Sequence, residues 1–233
     1  MTIADNTIIG PHAILRTGTR VGPGCRIGPG VIVAEPPMDT AFQGEPSQVI
    51  LGAGNDLREY VTIHRATGRG KATCIGDGNL IMAYVHVAHN CRVGNQVTIT
   101  NGCQLGGHVE IQDRAVIGGM TGIHQFVRVG AYAMVGACSY LNQDVPPFLL
   151  GAGNPFRLRG LNAVGLRRAG FSPTRIAVLR RLYRTVYRSR LGLRAALREL
   201  AQTFPKSPDV RRFLDFAESS RRGVLLKSGE SAL

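Results

Sequence analysis

The sequence predicts a mainly β protein, a parallel β-helix of hexapeptide repeats over residues 1–150 followed by a small basic α-helical domain over residues 151–233. Three observations predict it. Aliphatic residues recur every six positions: Ile3, Ile9, Leu15, Val21, Ile27 and Val33, then Leu51, Leu57 and Ile63, then without a break from Ile75 to Leu141. Glycine often follows the aliphatic residue, as at Gly10, Gly22, Gly28, Gly76, Gly94 and Gly106. Beyond residue 150 the six-residue rhythm gives way to helical spacing and a surplus of arginine. A fixed short period implies stacked units, because no single unit can bury its own hydrophobic face. Ordinary β-strands would alternate over five or six residues with irregular spacing and would not hold one phase from residue 75 to 141.

Each hexad supplies one short strand and a turn, with the aliphatic residue inward and the glycine expected to permit the turn backbone. Three hexads close one triangular coil, so residues 18 apart stack at roughly 4.8 Å, the spacing of neighbouring strands. Two coils precede an interruption, AEPPMDTAFQGEPSQVI at residues 34–50, which reads as a loop thrown out from the stack. Such loops on a rigid scaffold often carry function. Arg69, in a Gly/Arg/Lys segment, breaks the frame once more. Cys25, Cys91 and Cys103 fall at the fifth place of a hexad, where small residues pack. With Cys74 and Cys138 they make an odd number with no metal-type spacing, and they read as reduced thiols in a cytoplasmic protein.

The stack is expected to end near Asp144–Pro147, followed by a loop, GAGNPFRLRG. Ser172–Pro173 reads as an N-cap and first helical residue, with Ile176, Leu179, Leu182, Tyr183 and Val186 on one face. A second helix fits Leu193–Thr203, and a third follows Ser207–Pro208. Charge divides at the boundary. Residues 1–154 hold ten Lys+Arg and ten Asp+Glu, whereas residues 155–233 hold eighteen and five. A basic patch of this kind expects an acidic partner. No nucleic-acid recognition motif accompanies it, and no apolar run suggests a membrane span or a secretory signal.

Chemistry-bearing residues concentrate between positions 86 and 125. His89, Gly107 and Gln125 are spaced by 18 and form one column on consecutive coils, with His86, His108 and His124 beside it. A neutral imidazole suits a general base for a hydroxyl, and an unhindered glycine N–H suits a developing oxyanion. The same histidines could instead hold zinc, although no carboxylate or cysteine is evidently placed to complete the set. They could also be surface residues of a passive solenoid. No G-x-S-x-G elbow suggests a serine acyl-enzyme.

Across roughly residues 35–222, the segments GEPS, EYVTIHRAT, GDGNLIMAYVHVAHNCRVGN, LGGHVEI, IGGMTGIHQFVRVGA, QDVPPF and GLNAVGLRRAGFS resemble the acyl-carrier-protein–UDP-N-acetylglucosamine O-acyltransferases of lipid A biosynthesis. The resemblance implies a left-handed coil and a homotrimer with active sites between neighbouring β-helices. It implies transfer of a (3-hydroxy)acyl chain from acyl carrier protein to the sugar 3-hydroxyl. His89 would be the base and Gly107 the oxyanion donor. Asp39, His86, His108 and Gln125 would hold sugar and phosphates, Asn162 and Arg168 the nucleotide, and Ala137 would limit acyl length. No metal or bound organic cofactor is implied, since pantetheine arrives on the carrier, whose acidity suits the arginine-rich domain. The chain departs from the family pattern at Met38, Ala41, Pro155 and Val164, at Asn90, where Asp is usual beside the base, and in its short N-terminal stack. These departures leave a 3-amino-3-deoxy analogue of the nucleotide sugar as the alternative acceptor.

Overall fold

A computed structural model describes residues 1–225. The first two thirds form a left-handed parallel β-helix whose three flat faces are sheets of seven, nine and seven strands. The first face runs from Thr2–Ile3 to Arg128–Val129, the second from Ile8–Ile9 through Met134–Val135 to Leu149–Ala152 and Arg157–Leu161, and the third from Ile14–Leu15 to Tyr140–Leu141. From residue 72 to residue 141 partners lie 18 residues apart, as in His86↔Gln104 and Val87↔Leu105, and the last pairing, Met134↔Leu150, closes to 16. Earlier the register stretches: Val33 pairs with Ile63 and Ile63 with Val87. The extra chain leaves as two loops, 36–47 and 65–71, both from the corner between the third and first faces. The sequence marked only the first as a functional loop. The second braces it: the Gly68 N–H donates to Glu45 Oε1 at 2.6 Å and the Gly70 N–H to the Pro46 carbonyl at 2.9 Å.

Inside the prism the frame residues stack in columns, such as Ile27, Leu57, Ile81, Ile99, Ile117 and Val135, all essentially inaccessible. Each is worth about 1.5–3 kcal/mol on burial, before the entropy of ordering the chain is set against it. Small polar residues at the fifth place close the remaining backbone gaps. Cys25, Cys91 and Cys103 each donate Sγ–H to a glycine carbonyl of the next coil at 3.1–3.2 Å. Burial pushes the Cys91 thiol up to about 12, so it behaves as a packing group.

The turn glycines act differently from the expectation. The left-handed residue of each corner lies three places after the aliphatic one: Asn6, His12, Gly24, Tyr84, Asn90, Gln96, His108, Arg114, Phe126 and their equivalents have φ near +60°. The glycine directly after the aliphatic residue has ordinary φ and is required by close approach. A Cβ on Gly28 would lie 2.7 Å from the Leu57 carbonyl oxygen, and one on Gly22 would lie 2.6 Å from Gly52.

The stack also continues past residue 150. Leu149–Ala152 extends the second face and pairs antiparallel with Arg157–Leu161, where the sequence suggested a loop. Four helices follow: α1 (Ala163–Arg168), α2 (Pro173–Tyr187), α3 (Leu193–Thr203) and α4 (Pro208–Glu218). Ser172 and Ser207 cap α2 and α4 by accepting from the Arg175 and Val210 N–H groups. The short α1 escaped sequence reading because six residues give too little periodicity. Ile176, Leu179, Leu182 and Val186 are buried as their spacing predicts. Arg175 joins α2 to α4 through a two-pronged pair with Asp209 at 2.8 and 2.9 Å, and stacks on Phe171. Tyr132, Phe148 and Phe171 pack the helices onto the coil end. No helix of the described residues is long and apolar enough to cross a membrane.

Candidate active site

His89, Gly107 and Gln125 occupy the same place on successive turns of the third-to-first corner, followed by the left-handed residues Asn90, His108 and Phe126. The ladder that stacks them is direct: the His108 N–H donates to the His89 carbonyl and the Phe126 N–H to the Gly107 carbonyl, each at 3.0 Å. The His108 ring stacks on Phe126 and meets His89 edge-on. The two loops leave this same corner, and the first brings Asp39 to His89.

Asn90 fixes the tautomer of His89. Its Oδ1 accepts the Thr67 N–H at 2.9 Å and its Nδ2 donates to the Thr67 carbonyl at 3.0 Å, so its amide has one satisfied orientation. The same Oδ1 lies 2.9 Å from His89 Nδ1. An amide oxygen only accepts, so Nδ1 carries the proton and Nε2 presents a lone pair. Asparagine also tolerates the left-handed backbone at this corner, φ +60°. The carboxylate that position 90 lacks comes from the loop, since Asp39 Oδ2 lies 3.7 Å from His89 Nδ1. The Ala41 N–H, which donates to Asp39 at 3.0 Å, holds this carboxyl below the usual range and therefore ionised.

Gly107 lies against the Nε2 edge of His89. A Cβ there would sit 2.5 Å from both Cε1 and Nε2 of His89. Its N–H donates to no group among the described residues. An electrophilic carbon at this point would therefore have a proton acceptor and an oxyanion donor within one contact distance.

His86 accepts or donates at Nδ1 to the Thr62 hydroxyl at 2.8 Å and packs edge-on to His64, which the sequence reading did not single out. Burial, reinforced by the neighbouring His64 and His89, lowers the His86 pKa to about 4. Burial also lowers those of His64 and His108, with His89 and Lys71 adding to the effect at His108. These rings stay neutral at pH 7 and act as hydrogen-bonding groups. A cleft of about 520 Å³, lined by Lys71, Arg92, Asn90 and His108, adjoins the column and supplies the positive charge an anionic substrate needs. Lys71 and Arg92 were missed from sequence; the broken frame at Arg69 was the available signal. Among the described residues no group of three His, Cys, Asp or Glu is placed to hold a metal ion.

The remaining expected site residues lie on other edges. Ala137 is exposed at the second-to-third corner. Asn162 caps α1 by accepting from the Gly165 N–H, and it donates to the Tyr132 carbonyl at the first-to-second corner. Arg168 is exposed at the end of α1. Val164 and Met38 are also exposed, at 52% and 71%. One protomer thus spreads these groups over three edges, separated by a face of up to roughly 20 Å for six extended residues.

Known proteins resemble this chain in sequence and fold. Residues 144–225 match the family model described as UDP-N-acetylglucosamine O-acyltransferase, domain 2, and residues 1–35 and 75–107 match bacterial transferase hexapeptide repeats. The chain is 44% identical over 217 residues to an acyl-[acyl-carrier-protein]–UDP-N-acetylglucosamine O-acyltransferase of Gloeothece citriformis, covering 91% of this chain and 78% of that one. It is 45% identical to the enzyme of the same name from Halorhodospira halophila, over 89% and 81%. The crystal structure of a UDP-N-acetylglucosamine acyltransferase from Bacteroides fragilis superposes with a TM-score of 0.89 at 33% identity, over 96% of this chain and 94% of that one. With the hexapeptide coil, the helical domain and the histidine corner described, these likenesses place the chain in the acyl-[acyl-carrier-protein]–UDP-N-acetylglucosamine O-acyltransferase family.

Proposed function

We propose that this protein transfers a (3-hydroxy)acyl chain from acyl carrier protein to the 3-hydroxyl of UDP-N-acetylglucosamine, the first step of lipid A biosynthesis. The observation that carries the reading is the locked tautomer of His89 with its bare Nε2 against Gly107. Nε2 takes the proton of the sugar hydroxyl as its oxygen attacks the thioester carbonyl carbon. The carbonyl electron pair moves to oxygen, where the Gly107 N–H stabilises it. Collapse re-forms the carbonyl and breaks the carbon–sulfur bond. The departing pantetheine thiolate takes the proton back from His89, which returns to its starting state. Asp39 stabilises the transient imidazolium, while His86, His108, Gln125, Lys71 and Arg92 hold sugar and phosphates. Every proton has a donor and an acceptor in this scheme, so it needs no metal or bound organic cofactor, and a chelator is expected to leave the rate unchanged.

The distribution of Asn162, Arg168 and Ala137 over other edges supports a homotrimer in which a neighbouring copy completes each site. The arginine-rich helices give the acidic carrier its docking surface, and a carrier-borne donor with a nucleotide-sugar acceptor fits a cytoplasmic location. The test is a transfer assay with UDP-N-acetylglucosamine, its 3-amino analogue and a panel of (3-hydroxy)acyl carrier proteins. Product from wild type and none from His89→Ala is expected. Product from the amino sugar alone would overturn the assigned acceptor, and equal activity of His89→Ala would overturn the assigned base.

A further inference from the structure

Most of the surplus arginines lie on the helices, but Arg222 does not. After α4 the chain folds back as a strap, 219–225, onto the histidine corner. Arg128 Nη1 donates to the carbonyl and hydroxyl of Ser219, each at 3.1 Å, while its guanidinium lies over the Phe216 ring. The Ser220 hydroxyl donates to Asp144 Oδ2 at 2.8 Å, and Asp144 is fully buried. The Asp144 N–H donates to the Gly223 carbonyl and the Leu225 N–H to the Asp144 carbonyl, so the strap runs as a short parallel bridge beside the last coil. Gly223 has φ +80°, a left-handed bend that glycine adopts without strain.

This anchoring delivers one guanidinium to the turn above the oxyanion donor. Arg222 Nε donates to the Gln125 carbonyl at 3.1 Å, and Nη2 donates to His124 Nδ1. His124 Nδ1 also lies 3.2 Å from the Gln125 carbonyl, so the imidazole, that carbonyl and the guanidinium form one cluster. One planar guanidinium thus meets both the carbonyl and the imidazole of one turn. The same turn gives the Gly107 carbonyl its Phe126 N–H partner and places Gln125 one coil on in the column of His89 and Gly107.

We propose that Arg222 is a positioning residue for acceptor binding, which acts by fixing the His124–Gln125–Phe126 turn from the end of the helical domain. It is functionally distinct from the carrier-docking arginines, although it belongs to the same basic tail. The inference rests on the acyltransfer reading above. It extends the site to the last described segment of the chain, and the helical domain becomes a structural partner of the sugar site as well as a docking surface.

The experiment compares wild type, Arg222→Ala, Arg222→Lys, Gln125→Ala and the Arg222→Ala/Gln125→Ala double variant in steady-state transfer. Histidine imidazole ¹⁵N spectra are recorded alongside. Arg222→Ala is expected to raise the KM for UDP-N-acetylglucosamine about tenfold and to leave the carrier KM within about twofold. Arg222→Lys, which keeps one donor of the fork, is expected to recover part of the loss. The double variant is expected to be no worse than Gln125→Ala alone, because both changes act through one turn. In the spectra, the His124 imidazole signals are expected to shift in Arg222→Ala, because the guanidinium leaves Nδ1. A raised carrier KM with an unchanged acceptor KM would overturn the proposal, as would additive losses or no loss. If Arg222→Ala fails to fold, Arg222→Lys carries the same kinetic comparison. If wild type transfers no acyl group, the functional reading fails by itself, and the response of the His124 signals to Arg222→Ala still decides whether the contact exists in solution.

Discussion

Two neighbours decide what His89 can do. Gly107 is held to glycine by the imidazole itself, since a Cβ would collide with Cε1 and Nε2. Gly107→Ala is therefore expected to lower kcat by about 10²–10³-fold with a small change in acceptor KM, as measured by steady-state kinetics, because it displaces the base and crowds the oxyanion. Asn90 controls the other nitrogen. Asn90→Ala is expected to lower kcat on the order of 10²-fold by releasing the tautomer, whereas Asn90→Asp retains the acceptor on Nδ1 and remains active. Equal kcat for Asn90→Ala and wild type would show that Thr67 and Asn90 merely pin the loop. Asp39 in place of an acidic residue at 90 is a solution in space that no spacing rule reveals, because the two positions are 51 residues apart.

At the level of elements, the two loops and α2 carry separate duties. The 36–47 and 65–71 loops brace one another through Glu45 and Gly68 and close on the histidine corner through Asp39 and Thr67. Helix α2 offers Arg180, Arg181 and Arg184 on the side opposite its buried Ile176–Leu179–Leu182–Val186 face. Reversing these three charges is expected to raise the carrier KM several-fold, to flatten its salt dependence and to leave acceptor KM unchanged. An unaltered carrier KM at low salt would remove α2 from the docking surface.

For the whole molecule, the buried histidines link stability to pH. An unfolded histidine titrates near 6.5, whereas folded His86 titrates near 4 and His64 and His108 are shifted the same way. Between those values the unfolded chain binds protons that the folded chain refuses. Stability is therefore complete above about pH 6.5 and falls as pH drops toward 4. Thermal melts over this range should show a falling Tm, with a shallower slope in His86→Gln. Assembly has its own test. Coexpressed His89→Ala and Arg168→Ala protomers are expected to regain activity that neither has alone, at up to about a quarter of the sites for random mixing, if each site joins two copies. No regain would place Arg168 and His89 in separate functions.

The hexapeptide phase was enough to set the coil, its inward columns, the two N-terminal turns and the His89–Gly107–Gln125 column, and helical spacing with the capping serines set three of the four helices. Each follows from a local period or a capping signal, and such patterns survive in one dimension. The hairpin at 149–161 and the six-residue α1 did not announce themselves, because they are too short to repeat. The role of the turn glycines was misassigned for a related reason: a glycine demanded by the next coil looks, in sequence, like one demanded by its own φ. Residue types and spacing determined that an imidazole and an open N–H would share one edge. Only the tertiary structure decided which nitrogen of His89 is left free, which carboxylate approaches the ring and which arginine leaves the basic tail for this corner. Those choices depend on Asp39, Thr67, Asn90 and Arg222 meeting at one corner, and contacts between distant segments are set by the stacking of coils rather than by any neighbour along the chain.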